Sequence, residues 1–122
     1  MSETTLLSAI ENLKKKYQLT AYQNQRCDEF FSFIKVKDFI YPGQLKSKIC
    51  IDIKTAYLFM EDLKEQGFMK NLYEIYCMDC SKSKGIFLEK MVDFDDDCTC
   101  DFCNKNLSNP DDAIVLYKVI RV

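Results

Sequence analysis

The sequence predicts an α+β fold in which a helical N-terminal half precedes a smaller half built from antiparallel strands. Three observations indicate this order. Apolar residues recur with a helical period up to about residue 66, the period changes to two after Gly67, and two Cys-x-x-Cys pairs lie in the second half. At 122 residues the chain can form one compact unit or two very small ones, which excludes a large multidomain enzyme.

The composition narrows the class of protein further. The chain is 48% hydrophobic and 30% charged, which is ordinary for a folded soluble protein, and no uncharged apolar run approaches the length of a membrane span. The N-terminus lacks a basic segment followed by an apolar core, so we expect no signal peptide and a cytoplasmic location. Histidine is absent, which excludes every mechanism that needs an imidazole base.

The first helix is predicted at about residues 4–17. Leu6, Ile10, Leu13 and Tyr17 follow one another at spacings of four, three and four, which places them on one helix face. We therefore assign residues 1–20 to an N-terminal amphipathic helix. Its apolar stripe either covers the next domain, which we favour, or pairs with a second copy in a homodimer.

Three further helices are predicted before Gly67, at about residues 22–35, 43–49 and 53–66. Pro42-Gly43 breaks the chain before the second of these, and a tight turn follows it. Asp52 can cap the last helix because its carboxylate can accept the unpaired amide protons of the first turn, and Gly67 offers the left-handed conformation that ends it. Buried positions are expected at Cys27, Phe30, Phe31, Ile34, Leu45, Ile49, Ala56, Phe59, Met60 and Leu63.

Strand-forming residues dominate after Gly67. Strands are predicted at about residues 68–76, 85–94 and 113–122, with the second cysteine pair between the last two. The change in composition between Gly67 and Cys77 separates a helical domain, residues 21–76, from a cysteine-containing strand domain, residues 77–122.

The cysteines give the strongest functional signal. Cys77 and Cys80 form one Cys-x-x-Cys pair, Cys100 and Cys103 form another, and 19 residues separate the two pairs. This spacing is typical of a four-cysteine zinc site, in which each pair forms a tight turn that points both sulfurs to one side. Four thiolates saturate Zn²⁺ and leave no position for water, so the site is expected to be structural and the protein not to be an enzyme. A redox-active dithiol is the less favoured reading.

The remaining cysteines and a run of aspartates have simpler interpretations. Cys98 could replace Cys100 as a ligand, although Cys100 keeps the two-residue spacing to Cys103. Cys27 and Cys50 lie in apolar helical sequence and are expected to be buried. Asp93, Asp95, Asp96 and Asp97 are read as a solvated loop, because no cation-binding spacing surrounds them.

The order of elements resembles a known combination. The stretch YPGQLKSKICIDIKTAY, residues 41–57, looks like the second and third helices of a winged helix-turn-helix, and LKEQGF, residues 63–68, resembles the end of its third helix. A winged helix that leads into a four-cysteine zinc ribbon is similar to the N-terminal half of the general transcription factor E alpha subunit and its archaeal relative. The resemblance covers about residues 22–120.

This resemblance implies a surface for binding DNA or a protein partner. In winged helices the exposed face of the third helix enters the major groove, and the wing contacts phosphates. Transferred to this chain, the candidate contacts are Lys46, Lys48, Lys54, Thr55, Tyr57, Leu58, and Lys70 with Asn71 at the turn before the wing. Glu61 and Asp62 depart from the pattern because they add negative charge near this face.

Two functional hypotheses follow. The first is a transcriptional regulator that binds double-stranded DNA, which would place it at the nucleoid. The second is an adaptor without enzymatic activity that docks the winged helix and the zinc ribbon onto a larger protein complex. The net charge of −2 is unlike the strongly basic charge that is typical of nucleic-acid-binding proteins. Residues 35–70 nevertheless carry seven lysines against five acids, so we slightly favour the DNA-binding hypothesis.

Overall fold

The computed structural model describes residues 5–90, 93, 98–107 and 112–122. It confirms the α+β class. The elements are α1 (Leu6–Lys16), α2 (Ala21–Ser32), β1 (Phe39–Ile40), α3 (Pro42–Ile49), α4 (Ile53–Glu65), β2 (Met69–Cys77), β3 (Lys82–Leu88) and β4 (Ala113–Val119). The strands form one sheet in the order β1-β4-β2-β3, and the pairings of β1 with β4 and of β2 with β3 are antiparallel.

Side-chain caps explain where three of the helices begin. Thr5 exchanges hydrogen bonds with Ser8 at the start of α1, and Thr20 does the same with Gln23 at the start of α2. These reciprocal pairs satisfy amide groups that the first helical turn leaves unpaired. The predicted cap of α4 is confirmed, since Asp52 accepts a 2.7 Å hydrogen bond from the backbone N–H of Thr55. That hydrogen bond also lowers the pKa of Asp52.

The tight turn between α3 and α4 is held by side chains of α2. Cys50 takes a left-handed conformation, φ +64°, and ends α3. The Gln23 amide donates a 2.8 Å hydrogen bond to the carbonyl of Cys50, and Arg26 Nε donates one of 3.0 Å to the carbonyl of Lys48. Both acceptors belong to the last turn of α3, whose carbonyl groups have no partner within the helix.

The apolar stripe of α1 is buried inside the N-terminal half of the chain. Leu6, Ala9, Ile10 and Leu13 are almost fully covered, and α1 contacts α4. The favoured prediction, that this stripe covers the following domain, is confirmed. The apolar face of α1 that a second copy could have covered in a homodimer is therefore already covered by residues of the same chain.

The helix phases predicted from the sequence are also confirmed for α3 and α4. Their expected apolar positions are all buried, namely Leu45, Ile49, Ala56, Phe59, Met60 and Leu63. In α2, Cys27 and Phe31 are buried, whereas Phe30 is only partly buried. Ile34 is also partly buried and lies beyond the helix, which ends at Ser32, three residues earlier than predicted. Gly67 has φ +86° and follows α4 as expected.

The chain divides into two compact units. The first comprises residues 1–70 and 117–122, and the second comprises residues 71–116. This division differs from the sequence boundaries at residues 20–21 and 76–77. The C-terminal residues return to the first unit, because Phe39 and Ile40 of β1 pair with Lys118 and Tyr117 of β4. Within the described ranges, no helix has both the length and the apolar character that crossing a membrane demands.

Two acidic side chains of α4 anchor neighbouring elements of the first unit. Glu61 accepts a 2.5 Å hydrogen bond from the buried Tyr117 hydroxyl of β4 and pairs with Lys64. Asp62 accepts hydrogen bonds from the Tyr17 hydroxyl and, at 3.0 Å, from Lys16 Nζ at the end of α1. The two carboxylates that the sequence placed near the candidate binding face are thus engaged in contacts within the fold.

Candidate functional site

The four cysteines of the two Cys-x-x-Cys pairs form one cluster in the second unit. Their sulfur atoms all lie within 4.8 Å of one another. The Sγ atoms of Cys77 and Cys103 are 3.7 Å apart, and those of Cys80 and Cys100 are 3.9 Å apart. A tetrahedral metal–thiolate site with bonds of about 2.3 Å has sulfur–sulfur edges of about 3.8 Å, so the cluster has the size needed to hold one metal ion.

The two turns that carry these cysteines have the same backbone geometry. In the second turn the N–H of Phe102 points to the sulfur of Cys100 at 3.4 Å, and the N–H of Cys103 also points to it. In the first turn the N–H groups of Asp79 and Cys80 do the same for Cys77. Amide hydrogens aimed at a sulfur stabilise its thiolate form, which is the form that binds metal.

Each turn is followed by a residue in the left-handed conformation. Ser81 has φ +54° and Asn104 has φ +60°. The structure shows that a positive φ is required at both, although neither residue is glycine.

Crowding of the sulfur atoms moves the pKa values of the thiols apart. Hydrogen bonding to Cys103, together with burial, raises the pKa of Cys80 to about 12, whereas the backbone N–H groups of Cys103 and Phe102 lower the pKa of Cys100 to about 7. The N–H of Cys80 lowers the pKa of Cys77, but burial and the adjacent thiols outweigh it and raise the pKa overall. A bound cation would remove this conflict, because it favours all four thiolates at once.

The structure distinguishes Cys98 from Cys100. Cys100 is buried in the cluster, whereas Cys98 is not one of the four clustered residues and packs beside them with Leu88 and Ala113. Of the two cysteines outside the second unit, Cys27 is buried as expected, and burial raises its pKa to about 12. The prediction that Cys50 is buried was wrong, because the left-handed turn after α3 leaves it exposed.

Apart from its cysteines, the second unit buries few apolar side chains. Its described residues include four such side chains, Leu72, Ile75, Leu107 and Leu116, of which Ile75 and Leu107 pack with Cys77 and Cys100. A region of this size usually needs disulfides or a metal ion to fold. Cys77 and Cys100 are buried in this small core, Cys80 is partly buried and Cys103 is exposed, so the cluster extends from the core of the unit to its surface.

Two lysines near the cluster make ion pairs that the sequence did not predict. Lys84 Nζ lies 2.6 Å from an Asp101 carboxylate oxygen, and Lys105 Nζ lies 3.4 Å from oxygens of both Asp79 and the buried Asp112. Asp79 and Asp101 are the middle residues of the two Cys-x-x-Cys turns, so these ion pairs tie the turns to neighbouring segments. The run Asp95, Asp96 and Asp97 lies outside the described residues.

Most of the residues proposed to contact DNA or a partner lie on one part of the first unit. Lys46 and Lys48 are exposed on α3, and Lys54, Tyr57 and Leu58 are exposed on the first half of α4. Thr55 is partly buried, and its backbone N–H is used by the Asp52 cap. Two of the exposed side chains on α4 are large and apolar, since Tyr57 is 40% and Leu58 44% accessible to solvent.

The placement of Lys70 and Asn71 at a turn was wrong. Both lie inside β2, which begins at Met69, and both are partly buried. The reason is that Gly67 ends the helical segment abruptly, so the strand starts only two residues later. The reversal after β2 occurs instead at the first cysteine turn, between Cys77 and Lys82.

No protein-family model, no curated protein and no solved structure matches this chain.

Proposed function

We propose that Cys77, Cys80, Cys100 and Cys103 bind one structural Zn²⁺ ion. The proposal is supported by four thiolate donors at tetrahedral spacing, by the amide hydrogens aimed at Cys77 and Cys100, and by the small apolar core around them. Thiolate ligands favour zinc over the hard cations Mg²⁺ and Ca²⁺. The ion's role is to hold the two cysteine turns together.

Metal analysis of two matched variants tests this site. Freshly purified, reduced protein is expected to contain one zinc per chain. Cys100→Ser should lower the zinc content, because it removes a buried member of the cluster, and Cys98→Ser should leave it unchanged. Loss of zinc in the Cys98 variant alone would move the ligand to Cys98, and zinc-free parent protein would refute the site.

The first unit supports a winged-helix architecture. Helices α2, α3 and α4 precede β2, a short strand β1 lies before α3, and the sheet contains the order β1-β4-β2. This is the helix and strand order expected of three helices and a three-stranded wing sheet. In chain order, the cysteine-containing segment follows β2 and precedes β4.

We infer that the first unit binds double-stranded DNA, as a transcriptional regulator without enzymatic activity. The observation that carries this proposal is the set of three exposed lysines, Lys46, Lys48 and Lys54, which make no ion pair within the described part of the chain. Two of the three acids of α4, Glu61 and Asp62, are engaged by Tyr117, Lys64, Lys16 and Tyr17, and the third, Glu65, lies at the opposite end of α4 from Lys54. Unpaired lysines beside the amino end of an exposed helix suit a phosphate backbone.

The distribution of charge between the units supports the same assignment. Residues 1–70 and 117–122 carry 13 basic and nine acidic side chains, a net charge of +4. Residues 71–116 carry four basic and ten acidic side chains, a net charge of −6. The overall charge of −2 is therefore the sum of a positive first unit and a negative second unit. DNA phosphates would be attracted to the first unit and repelled by the second.

The salt dependence of duplex binding tests the DNA proposal. If Lys46, Lys48 and Lys54 neutralise phosphates, each should contribute about one unit to the slope of log affinity against log salt concentration. The triple change to Ala should flatten the slope and weaken binding to every duplex, whereas changing Lys15 and Lys35, exposed lysines elsewhere, should matter less. Absence of binding at about 50 mM salt would refute the proposal, because electrostatic attraction is strongest at low salt.

A specific observation favours docking on a protein as the second candidate. Ile53, Tyr57 and Leu58 are all exposed apolar side chains on the first half of α4. Aromatic and aliphatic residues of this kind dominate protein interfaces, whereas phosphate contacts use cations. Under this alternative the module is an adaptor on a larger complex, Tyr57→Ala and Leu58→Ala abolish partner binding, and the lysine changes alter mainly the association rate.

A further inference from the structure

The first unit has a groove between α2 and α3 that shares only Lys48 with the residues of the proposed function. It has a volume of about 380 Å³ and is lined by Arg26, Glu29, Phe30, Phe33, Ile34, Gln44 and Lys48. This volume falls within the range of small-molecule binding sites, which are mostly apolar and contain a few placed polar groups.

Its floor is an apolar stripe of α2 and the segment after it. Phe30 and Ile34 are partly buried, and Phe33 is 79% exposed although it is a large aromatic residue. The side chains of residues 26, 30 and 33 share one helix face, since they are separated by four and three positions. The lining of the groove therefore presents aromatic surface to solvent, and covering that surface would be favourable.

The rim of the groove is positively charged. Arg26 is fixed by its ion pair with Glu29, at 3.2 Å, and by its hydrogen bond to the carbonyl of Lys48. The Lys48 side chain is exposed and makes no ion pair with any described residue. One positive charge thus remains unmatched beside an apolar floor.

We propose that this groove binds a small apolar carboxylate. Its hydrocarbon or aromatic part would lie against Phe30, Phe33 and Ile34, and its carboxylate would pair with Lys48. The aromatic floor selects an apolar body, and the unmatched ammonium selects an anion over a neutral or cationic group. The site shares no residue with the cysteine cluster, and it shares Lys48 with the proposed DNA contacts, so a bound carboxylate and a DNA phosphate would compete for that ammonium group.

Titration of the full, zinc-loaded chain with 4-phenylbutanoate tests the site, with 4-phenylbutanamide as the uncharged match. Binding is followed by the NMR signals of the protein's backbone amides. The carboxylate is expected to bind with a Kd of about 1 mM and to shift the amide signals of residues 26–34 and 44–48. The amide should bind about threefold or more weakly, because it lacks the charge that Lys48 recognises. DNA is left out, so the result is independent of the DNA proposal.

Substitutions of exposed residues distinguish recognition of the carboxylate from recognition of the apolar part of the ligand. Lys48→Gln should remove the preference for the carboxylate, whereas Lys46→Gln, a neighbouring exposed lysine outside the groove, should keep it. Phe33→Ala should weaken both probes severalfold, whereas Tyr22→Ala, another exposed aromatic of α2, should change neither. Equal affinity of the parent for both probes, shifts confined to other residues, or no saturable binding would overturn the proposal.

Discussion

At the scale of single residues, the two cysteine turns place unusual demands on the positions that follow them. Ser81 and Asn104 both have positive φ, where an L-amino acid with a Cβ atom is strained by about 1 kcal/mol or more and glycine is not. Asn is better suited to this conformation than Ser, because its short polar side chain can bond locally. The strain is therefore expected to be greater at Ser81.

Replacing Ser81 with Gly should stabilise the zinc-loaded protein by about 0.5–1 kcal/mol, after allowing for the greater entropy of glycine in the unfolded chain. Asn104→Gly should have a smaller effect. Thermal unfolding at a fixed excess of zinc measures both changes. Ser81→Ala is the control, because alanine keeps the Cβ atom and should give no gain; equal stabilisation by Ala and Gly would show that the backbone conformation is not the cause.

The cysteine turns show what single residues in a sequence can reveal. The spacing of Cys77, Cys80, Cys100 and Cys103 predicted the cluster because each Cys-x-x-Cys turn is a local structure. The ion pairs of Lys105 with Asp79 and Asp112 could not be predicted, because they join residues that are distant in sequence and have no local signature. The preference for Cys100 over Cys98 also rested on local spacing, and the structure places Cys100 in the cluster.

At the scale of elements, the sequence predicted the helices but not the pairing of β1 with β4. Apolar periodicity and caps such as Asp52 are local, so α1, α3 and α4 matched their predictions closely. The strand β1 has only two residues, and its partner is β4, almost 80 positions later. A pairing so short and so distant gives no periodic pattern, which is why residues 117–122 were assigned to the second half of the chain.

The contact between α1 and α4 gives a prediction for pH. Burial by itself would raise the pKa of Asp62, but the hydrogen bonds from Tyr17 and Lys16 outweigh it, and the pKa is lowered. A carboxyl group whose pKa is lowered on folding stabilises the folded state above its unfolded pKa of about 4, and this stabilisation is lost as the pH falls below that value.

Asp62→Asn should therefore cost about 1 kcal/mol at pH 7, and the difference from the parent should shrink as the pH is lowered toward 3, because Asp62 of the parent becomes protonated. Unfolding measured over this range tests the prediction. Glu65→Gln, which changes an exposed acid of the same helix, is the control and should follow the parent throughout. A difference that stays constant with pH would mean that the charge of Asp62 is not involved.

At the scale of the whole molecule, the two units differ in what holds them together. The first has a large apolar core, which includes Ile10, Ile49, Phe59, Leu63 and Tyr117. The second has the cysteine cluster with Ile75 and Leu107 at its centre. The apolar core of the first unit does not depend on a metal ion. Without a cation, the four cysteines of the second unit are no longer joined through the metal, and their sulfur atoms no longer favour the thiolate form.

If the cluster binds zinc as proposed, removal of the ion should consequently unfold the second unit before the first. With a strong chelator under reducing conditions, backbone amide hydrogens of residues 73–77 and 82–88 should lose their protection from exchange, while those in the middle of α1 and α4 keep theirs. Cys100→Ser should reproduce this pattern without chelator, and Cys50→Ser, which changes an exposed cysteine outside the cluster, should not. Simultaneous loss of protection in α4 and β3 would mean that the metal stabilises the whole chain, and no loss in either would mean that the cysteine cluster folds without it.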